Sequence, residues 1–303
     1  MAQSVNLGGV FTPTGTNLKL NRLGYGTLQL AGEMAWGPPR DHDEAIRVVR
    51  EAVRLGVSHI DTSDFYGPHI ANEIIREAIH PYPKSLTIAT KVGILRGPDK
   101  SWVKAVSAQQ LTAAVHDNLK RLALDALEIV YLRVGEGRGT NDDSIAEPLA
   151  ALVKLREQGL IRHIGLSNIT PRQFAESQSI ADIVCVQNHY NLAYRKDDAL
   201  LDDLGRRGIA FAPFFPLGGV RPLRSPILDE AAKSVGATTR QVASAWLLQR
   251  SPNILVIGGT SSVDHLRDNL KAANLKLTPE IIAQLNGIGT KEKSEWRAPV
   301  AKP

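Results

Sequence analysis

The stretch Leu55-Gly56-Val57-Ser58-His59-Ile60-Asp61-Thr62-Ser63-Asp64-Phe65-Tyr66-Gly67 sets the reading of the whole chain. Leu55-Gly56 is a helix-ending pair. The apolar residues after it mark a short buried strand over 57–60. The strand then breaks into small polar residues that carry Asp61 and Tyr66. Each has an ordinary explanation on its own: Asp61 as the cap of the next turn, Tyr66 as packing against a helix. A second buried strand, Thr87-Ile88-Ala89-Thr90-Lys91, ends in a lysine, and that favours a shared purpose. Acid, phenol and amine at successive strand ends can converge on one mouth. The lysine is expected to lower the pKa of the phenol, and the carboxylate to hold the lysine charged and in place. Tyr66 is thereby a candidate proton donor.

The strand-then-helix pattern runs through the rest of the 303 residues. Val10-Phe11 and Leu18-Lys19-Leu20 flank a Thr/Pro/Gly stretch and read as a hairpin. Arg22-Leu23-Gly24-Tyr25-Gly26 is the first core strand. A helix-period run follows over 41–55, with Asp41 as its cap. Further strands are expected over 57–60, 86–90, 127–132, 163–166, 183–187, 209–213 and 254–257. Helices are expected over 70–79, 108–122, 145–158, from 171, over 196–206, in a region ending near 249, and over 263–273 and 279–288. Continuous apolar strands imply burial on both faces, hence parallel pairing. Eight β/α units in this length predict an α/β fold, a closed (β/α)8 TIM barrel with an N-terminal β-hairpin and an extra C-terminal helix, as one domain over 1–303. An open doubly wound sheet is the alternative. Against it, no Gly-x-Gly-x-x-Gly follows a strand and opens a helix.

The composition narrows the function. A 43% hydrophobic content is ample for a large core, and the formal net charge of +5 comes from well-mixed charges. No basic run interleaved with aromatics is present, so nucleic acid is not the expected partner. A mild basic excess suits an anionic ligand as well. The single cysteine, Cys185, excludes an internal disulfide and fits a reducing cytoplasm. It lies in the apolar run Ile183-Val184-Cys185-Val186 and reads as an inert core residue. No apolar run approaches a membrane span, and the N-terminus lacks the charge-then-apolar pattern of a signal peptide. No metal site is expected.

In a barrel of this kind, chemistry lies at the C-terminal ends of the strands. Those ends read Gly26-Thr27-Leu28-Gln29, Asp61 and Tyr66, Lys91, Arg133, Ser167-Asn168, Gln187, Phe214 and Gly258-Gly259-Thr260-Ser261. Ser167, Asn168 and Gln187 are suited to grip a carboxamide. Phe214 offers a flat face for stacking a ring. The turn over 258–262, before a helix, is either an anion site or an ordinary capped turn. An amide grip, a ring platform and a phosphate turn together describe a nicotinamide dinucleotide lying across the mouth.

On these motifs the chain resembles the aldo-keto reductase family over nearly its whole length. The matching pieces are Asn21-Arg22-Leu23-Gly24-Tyr25-Gly26, the stretch from His59 to Gly67, Ala89-Thr90-Lys91, and Ile164-Gly165-Leu166-Ser167-Asn168. To these are added Pro213-Phe214-Phe215-Pro216-Leu217-Gly218 and Gly258-Gly259-Thr260-Ser261-Ser262 with His265, Leu266 and Asn269. The resemblance implies catalytic roles for Asp61, Tyr66 and Lys91. It implies carboxamide ligands at Ser167, Asn168 and Gln187, the stacking aromatic at Phe214, and adenosine-phosphate contacts at Thr260, Ser261, His265 and Asn269. Gly26, Thr27, Pro216, Leu217, Gly218 and Gly259 are the other cofactor positions it carries over. Further pieces, among them Val130-Tyr131-Leu132-Arg133 and His116-Asp117-Asn118-Leu119, resemble a narrower branch, the bacterial pyridoxal reductases. That branch implies NADPH as cofactor and a small-molecule aldehyde as substrate.

One departure stands out. Where the family has a catalytic histidine, this chain has Arg133, which does not titrate near neutral pH. It can instead donate hydrogen bonds to a carbonyl oxygen or a substrate anion, or turn away and pair with Glu136. Gly259 stands where many relatives carry a lysine, which weakens the expected grip on a 2′-phosphate. Two other functional classes stay open at this point. Lys91 at a strand end would also suit a Schiff-base aldolase, and some family members are cofactor-holding subunits without turnover.

Overall fold

The computed structural model describes residues 7–135, 139–218 and 223–288. The chain begins with a hairpin, β1 (Val10–Phe11) paired antiparallel with β2 (Leu20–Asn21). Seven strands then pair in parallel: β3 (Tyr25–Gly26), β4 (His59–Asp61), β5 (Thr87–Val92), β8 (Leu127–Arg133), β9 (Ile161–Ser167), β10 (Ile183–Gln187) and β11 (Ala210–Phe211). The eighth position is the segment 254–259, which bridges Phe211 on one side and Leu23 and Gly26 on the other. That closes the sheet into the expected (β/α)8 barrel.

Helices α1 (His42–Arg54), α2 (Ile70–Ile79), α3 (Ala108–Leu122), α4 (Ala146–Glu157), α5 (Pro171–Ser177), α6 (Asp198–Arg206), α7 (Pro226–Ser234), α8 (Thr239–Arg250), α9 (Val263–Leu270) and α10 (Pro279–Asn286) form the outer layer. The helical region expected to end near 249 is two helices. Gly236 at φ 63° leaves α7, and Thr238 opens α8 with a capping box to Gln241. The strand expected over 254–257 is a set of isolated bridges and not a continuous ladder. A second hairpin, β6 (Ile94–Arg96) with β7 (Trp102–Lys104), follows β5 and has no counterpart in the sequence pattern. Among the described residues no helix is long and apolar enough to cross a membrane.

Strand alternation sorts the barrel interior into two levels. The lower level is apolar: Ala89, Ile129, Tyr131, Val184, Cys185, Ala210, Ala212, Leu255 and Ile257 pack with Leu18 and Leu20, which come from the first hairpin and its loop. That hairpin plugs the N-terminal end of the barrel. Two residues further along each strand the inward positions become Lys91, Arg133, Gln187 and Phe214. Ser167 follows Gly165, where a Cβ would lie 2.5 Å from the Tyr131 ring. Cys185 accepts a hydrogen bond from Tyr131 Oη at 3.1 Å, and burial pushes its thiol up to about 12, so it is inert as expected.

His59 lies two residues below Asp61 and is buried, with no hydrogen-bond partner for either ring nitrogen among the described residues. Its ring presses against Gly24, where any Cβ would collide with it. Burial pulls its pKa down to about 4, against about 6.5 in an unfolded chain. The folded pKa is the lower one, so between these values the unfolded state binds the extra proton. The stabilisation is complete above about pH 6.5 and is lost as the pH falls towards 4. Between pH 7.5 and 5 the wild type is therefore expected to lose about 2 kcal/mol through this residue. Urea midpoints of His59→Gln, compared with wild type across that range, check this: the variant should show the smaller pH dependence.

Candidate active site

The polar level of the barrel is tied together before any ligand arrives. Lys91 Nζ donates to Asp61 Oδ1 at 2.5 Å and to the Thr62 carbonyl at 2.9 Å. Gln187 Nε2 donates to the other Asp61 oxygen at 2.8 Å. Lys91 Nζ lies 5.1 Å from the centroid of the Tyr66 ring. Burial alone would lower the lysine pKa, but Asp61 and Tyr66 outweigh it and hold it above the ordinary value. Lys91 is thus a charged ammonium beneath the phenol. The expected lowering of Tyr66 by Lys91 is present, yet burial is the larger effect and Asp61 adds to it. The net direction is upward, so Tyr66 is an acid that keeps its proton through neutral pH.

The loop carrying Asp61 and Tyr66 is held from behind by a buried polar chain. Thr27 Oγ1 lies 2.8 Å from Thr62 Oγ1, which donates to Asn72 Oδ1 at 2.9 Å. Asn72 Nδ2 reaches Asp64 at 3.2 Å and Asn118 at 3.0 Å, and Thr90 Oγ1 donates to Asn118 at 2.5 Å. Thr27, a cofactor position by the resemblance, is fully buried and belongs to this chain of hydrogen bonds. Gly26 and Gly259 face one another across the barrel seam. A Cβ would lie 2.6 Å from the Ile257 carbonyl at Gly26, and 2.8 Å from the Gly26 carbonyl at Gly259. Their requirement is close backbone approach.

Of the expected carboxamide ligands, Ser167 and Gln187 converge. Gln187 Oε1 is buried with no partner among the described residues. A buried acceptor costs free energy unless paired, and the N–H of a carboxamide is a group that would satisfy it. By this test the site fits a nicotinamide. Asn168 is placed differently. Its Nδ2 donates to the Val134 and Gly139 carbonyls, at 3.0 and 2.7 Å, and so anchors the loop after β8. Its backbone is left-handed, φ 61°, a conformation asparagine tolerates. Phe214 stacks on His189 with ring centroids 5.5 Å apart and planes 12° apart. Arg133 ends β8 inside the mouth, with Nη1 donating to Ser167 Oγ at 3.2 Å. Glu136, its other expected partner, lies outside the described residues. Pro216, Leu217 and Gly218 form a turn after Phe214 in which Gly218 N donates to the Phe215 carbonyl at 3.0 Å.

The expected phosphate turn is largely satisfied from within. Ser262 N donates to Thr260 Oγ1 at 3.2 Å, and His265 N to Ser262 Oγ at 3.4 Å. Val263 N donates to the carboxylate of Glu44 on α1 at 2.8 Å, the largest cause holding that carboxyl below its usual range. An acid at a helix N-terminus competes with a phosphate for the same donors. Thr260 is buried, which leaves Ser261, His265 and Asn269 as the outward side chains.

Arg96 and Trp102, on the outer rim of the mouth, were not among the expected site residues. Arg96 on β6 lies between two indoles, with its Cζ 5.2 Å from the Trp36 ring and 4.9 Å from that of Trp102. It donates to the carbonyls of Ala35 and Lys100, both at 3.0 Å. Trp102 packs edge-on against Phe65 at 5.2 Å. Asn72 and Asn118 were legible as polar residues on the apolar faces of their helices. Glu44 was not, since its partner is 219 positions away.

The model of the aldo/keto reductase family matches residues 22–290. The chain belongs to that family. It is 59% identical over 271 residues to pyridoxine 4-dehydrogenase of Escherichia coli (strain K12), covering 89% of this chain and 95% of the relative. It is 35% identical over 280 residues to an uncharacterised oxidoreductase of Schizosaccharomyces pombe, covering 92% and 90%. Among solved structures, the thermostable aldo-keto reductase Tm1743, in complex with the inhibitor epalrestat, superimposes with a TM-score of 0.79 at 30% identity, covering 92% of this chain and 99% of that one.

Glu44→Gln is expected to tighten binding of adenosine 2′,5′-bisphosphate, the phosphate-bearing fragment of the expected cofactor. The gain should be about 3- to 10-fold, the size of one helix-terminus charge. Calorimetric titration of both proteins at low salt checks it.

Proposed function

We propose that this protein reduces the aldehyde of pyridoxal to the alcohol of pyridoxine with NADPH, in the cytoplasm. The observation that carries the reading is the buried Asp61–Lys91 pair beneath Tyr66, in a chain 59% identical to a pyridoxine 4-dehydrogenase. When bound, the reduced nicotinamide supplies a hydride. Ser167, Gln187 and Phe214 would hold its carboxamide and ring, and Ser261, His265 and Asn269 its adenosine phosphate. Gln187 contributes its carbonyl oxygen, because its nitrogen is committed to Asp61. Tyr66 donates its phenolic proton to the carbonyl oxygen of the substrate. Lys91, charged at all working pH values, stabilises the phenolate left behind. Asp61 keeps Lys91 in place. Arg133 does not titrate in this range and acts as a fixed positive charge facing the developing oxyanion.

The reading is tested by incubating the purified protein with NADPH and pyridoxal. Equal amounts of NADPH consumed and pyridoxine formed are expected, and no pyridoxine would overturn it. Tyr66→Phe should lower turnover by about 10²–10⁴-fold while NADPH affinity stays near wild type. Because burial raises the Tyr66 pKa, reduction should hold through neutral pH and fail only above the ordinary phenol range. Steady-state rates across pH check both points. A Tyr66→Phe variant with more than half the wild-type turnover would remove Tyr66 from the acid's role.

A further inference from the structure

Arg133 stands where the nicotinamide is expected to lie. Its guanidinium carbon sits over the ring of Phe214, 5.2 Å from the centroid. Its Nη1 donates to Ser167 Oγ, 3.2 Å away. Phe214 and Ser167 are the ring platform and one carboxamide ligand of the proposed cofactor site. Phe214 is itself fixed, since His189 stacks on it and Tyr194 stacks on His189 with centroids 4.3 Å apart. Ser167 is fully buried at the end of β9. Neither can move aside to serve two partners at once. A planar guanidinium and a planar pyridine ring stack on an aromatic face by the same geometry, so they exclude one another there.

We propose that Arg133 is a two-position residue: it holds the Phe214 face and Ser167 until the nicotinamide displaces it towards Trp102 and Tyr66. This rests on the nicotinamide reading of the site. The second position is prepared in the structure. The Trp102 ring lies 6.0 Å from the guanidinium carbon and offers a second cation–π face. Burial lowers the Arg133 pKa, and Tyr66 and Asp61 act on it electrostatically in the opposite sense, both favouring its charged form. In that second position the cation faces the carbonyl oxygen that Tyr66 protonates. The positive charge thus reaches the substrate only after the cofactor has arrived. Arg133 thereby competes with the nicotinamide half of the cofactor, even though the cofactor as a whole is an anion that a cation should attract.

The test compares two ligands on two proteins by equilibrium binding without substrate. One ligand is NADPH; the other is 2′-phospho-ADP-ribose, which lacks the nicotinamide. Loss of one positive charge in Arg133→Met weakens both alike. Release of the Phe214 face strengthens NADPH alone. The ratio of the two dissociation constants should therefore shift in favour of NADPH by roughly 3- to 30-fold, the worth of one cation–π contact. Arg133→Gln carries the same prediction should the methionine variant fail to fold. If both ligands move in parallel, or NADPH weakens relative to the fragment, Arg133 does not occupy the nicotinamide's place and the proposal fails. Wild-type protein that binds the fragment but gains nothing from the nicotinamide, while Arg133→Met gains, supports the proposal. Wild-type protein and variants that bind neither ligand would contradict the cofactor reading.

Discussion

The ion pair between Lys91 and Asp61 is the constraint on which the rest of the site depends. Both groups are almost wholly buried, with side-chain exposures of 3% and 6%. Removing two charges from water is costly, and attraction repays it only when the remaining hydrogen-bonding capacity is also met. Here it is met on both sides. The second oxygen of Asp61 takes Gln187, and Lys91 also reaches the Thr62 carbonyl. The pair therefore cannot be adjusted locally. Gln187 is oriented by Asp61, its orphaned carbonyl oxygen is aimed by that bond, and Tyr66 sits over an ammonium that cannot leave. Apolar residues of similar volume would give stability as readily; what only the pair provides is a charged ammonium 5.1 Å from the Tyr66 ring centroid.

The barrel supplies the precision this needs. Inward side chains recur every second residue, and the first hairpin fills the lower level with leucine. Polar groups are therefore confined to the last inward position of each strand, where Lys91, Arg133, Ser167 and Gln187 face a common axis, with the Phe214 ring beside them. The polar chain through Thr62, Asn72, Asn118 and Thr90 extends the rigidity to the loop beyond β4. The outer rim is tied by Arg96 between its two indoles.

Much of this was legible in the sequence, for definite reasons. Eight continuous apolar strands with capped helices between them fit a barrel in this length, and Asp61, Lys91, Arg133, Ser167 and Gln187 lie at the strand ends where periodicity located them. What escaped was decided by long-range partners. The close approach of Gly26 and Gly259 across the seam was invisible because a glycine shows its freedom in sequence but not its neighbour. For Thr27 and Asn168 the sequence showed side chains able to meet a cofactor but not the bonds the fold gives them, one with Thr62 and the other with the Val134 and Gly139 carbonyls. The lowering of the Tyr66 pKa by Lys91 was legible, but sequence shows the nearby charges and not the depth of burial that outweighs them. The hairpin over 94–104 was hidden because its strands are short and one carries Arg96 and the other Lys104 beside exposed Leu95 and Val103.

The central claim is that the buried charges serve the phenol and not the fold. Replacing both at once tests it most directly, since removing one alone leaves the other buried without its partner. In the double variant Asp61→Asn, Lys91→Met, urea unfolding and pyridoxal turnover are measured on the same preparation. A folded protein within about 1–2 kcal/mol of wild-type stability, with turnover lowered by about 100-fold or more, is the expected result. A folded double variant that turns over pyridoxal within a few-fold of wild type would contradict it.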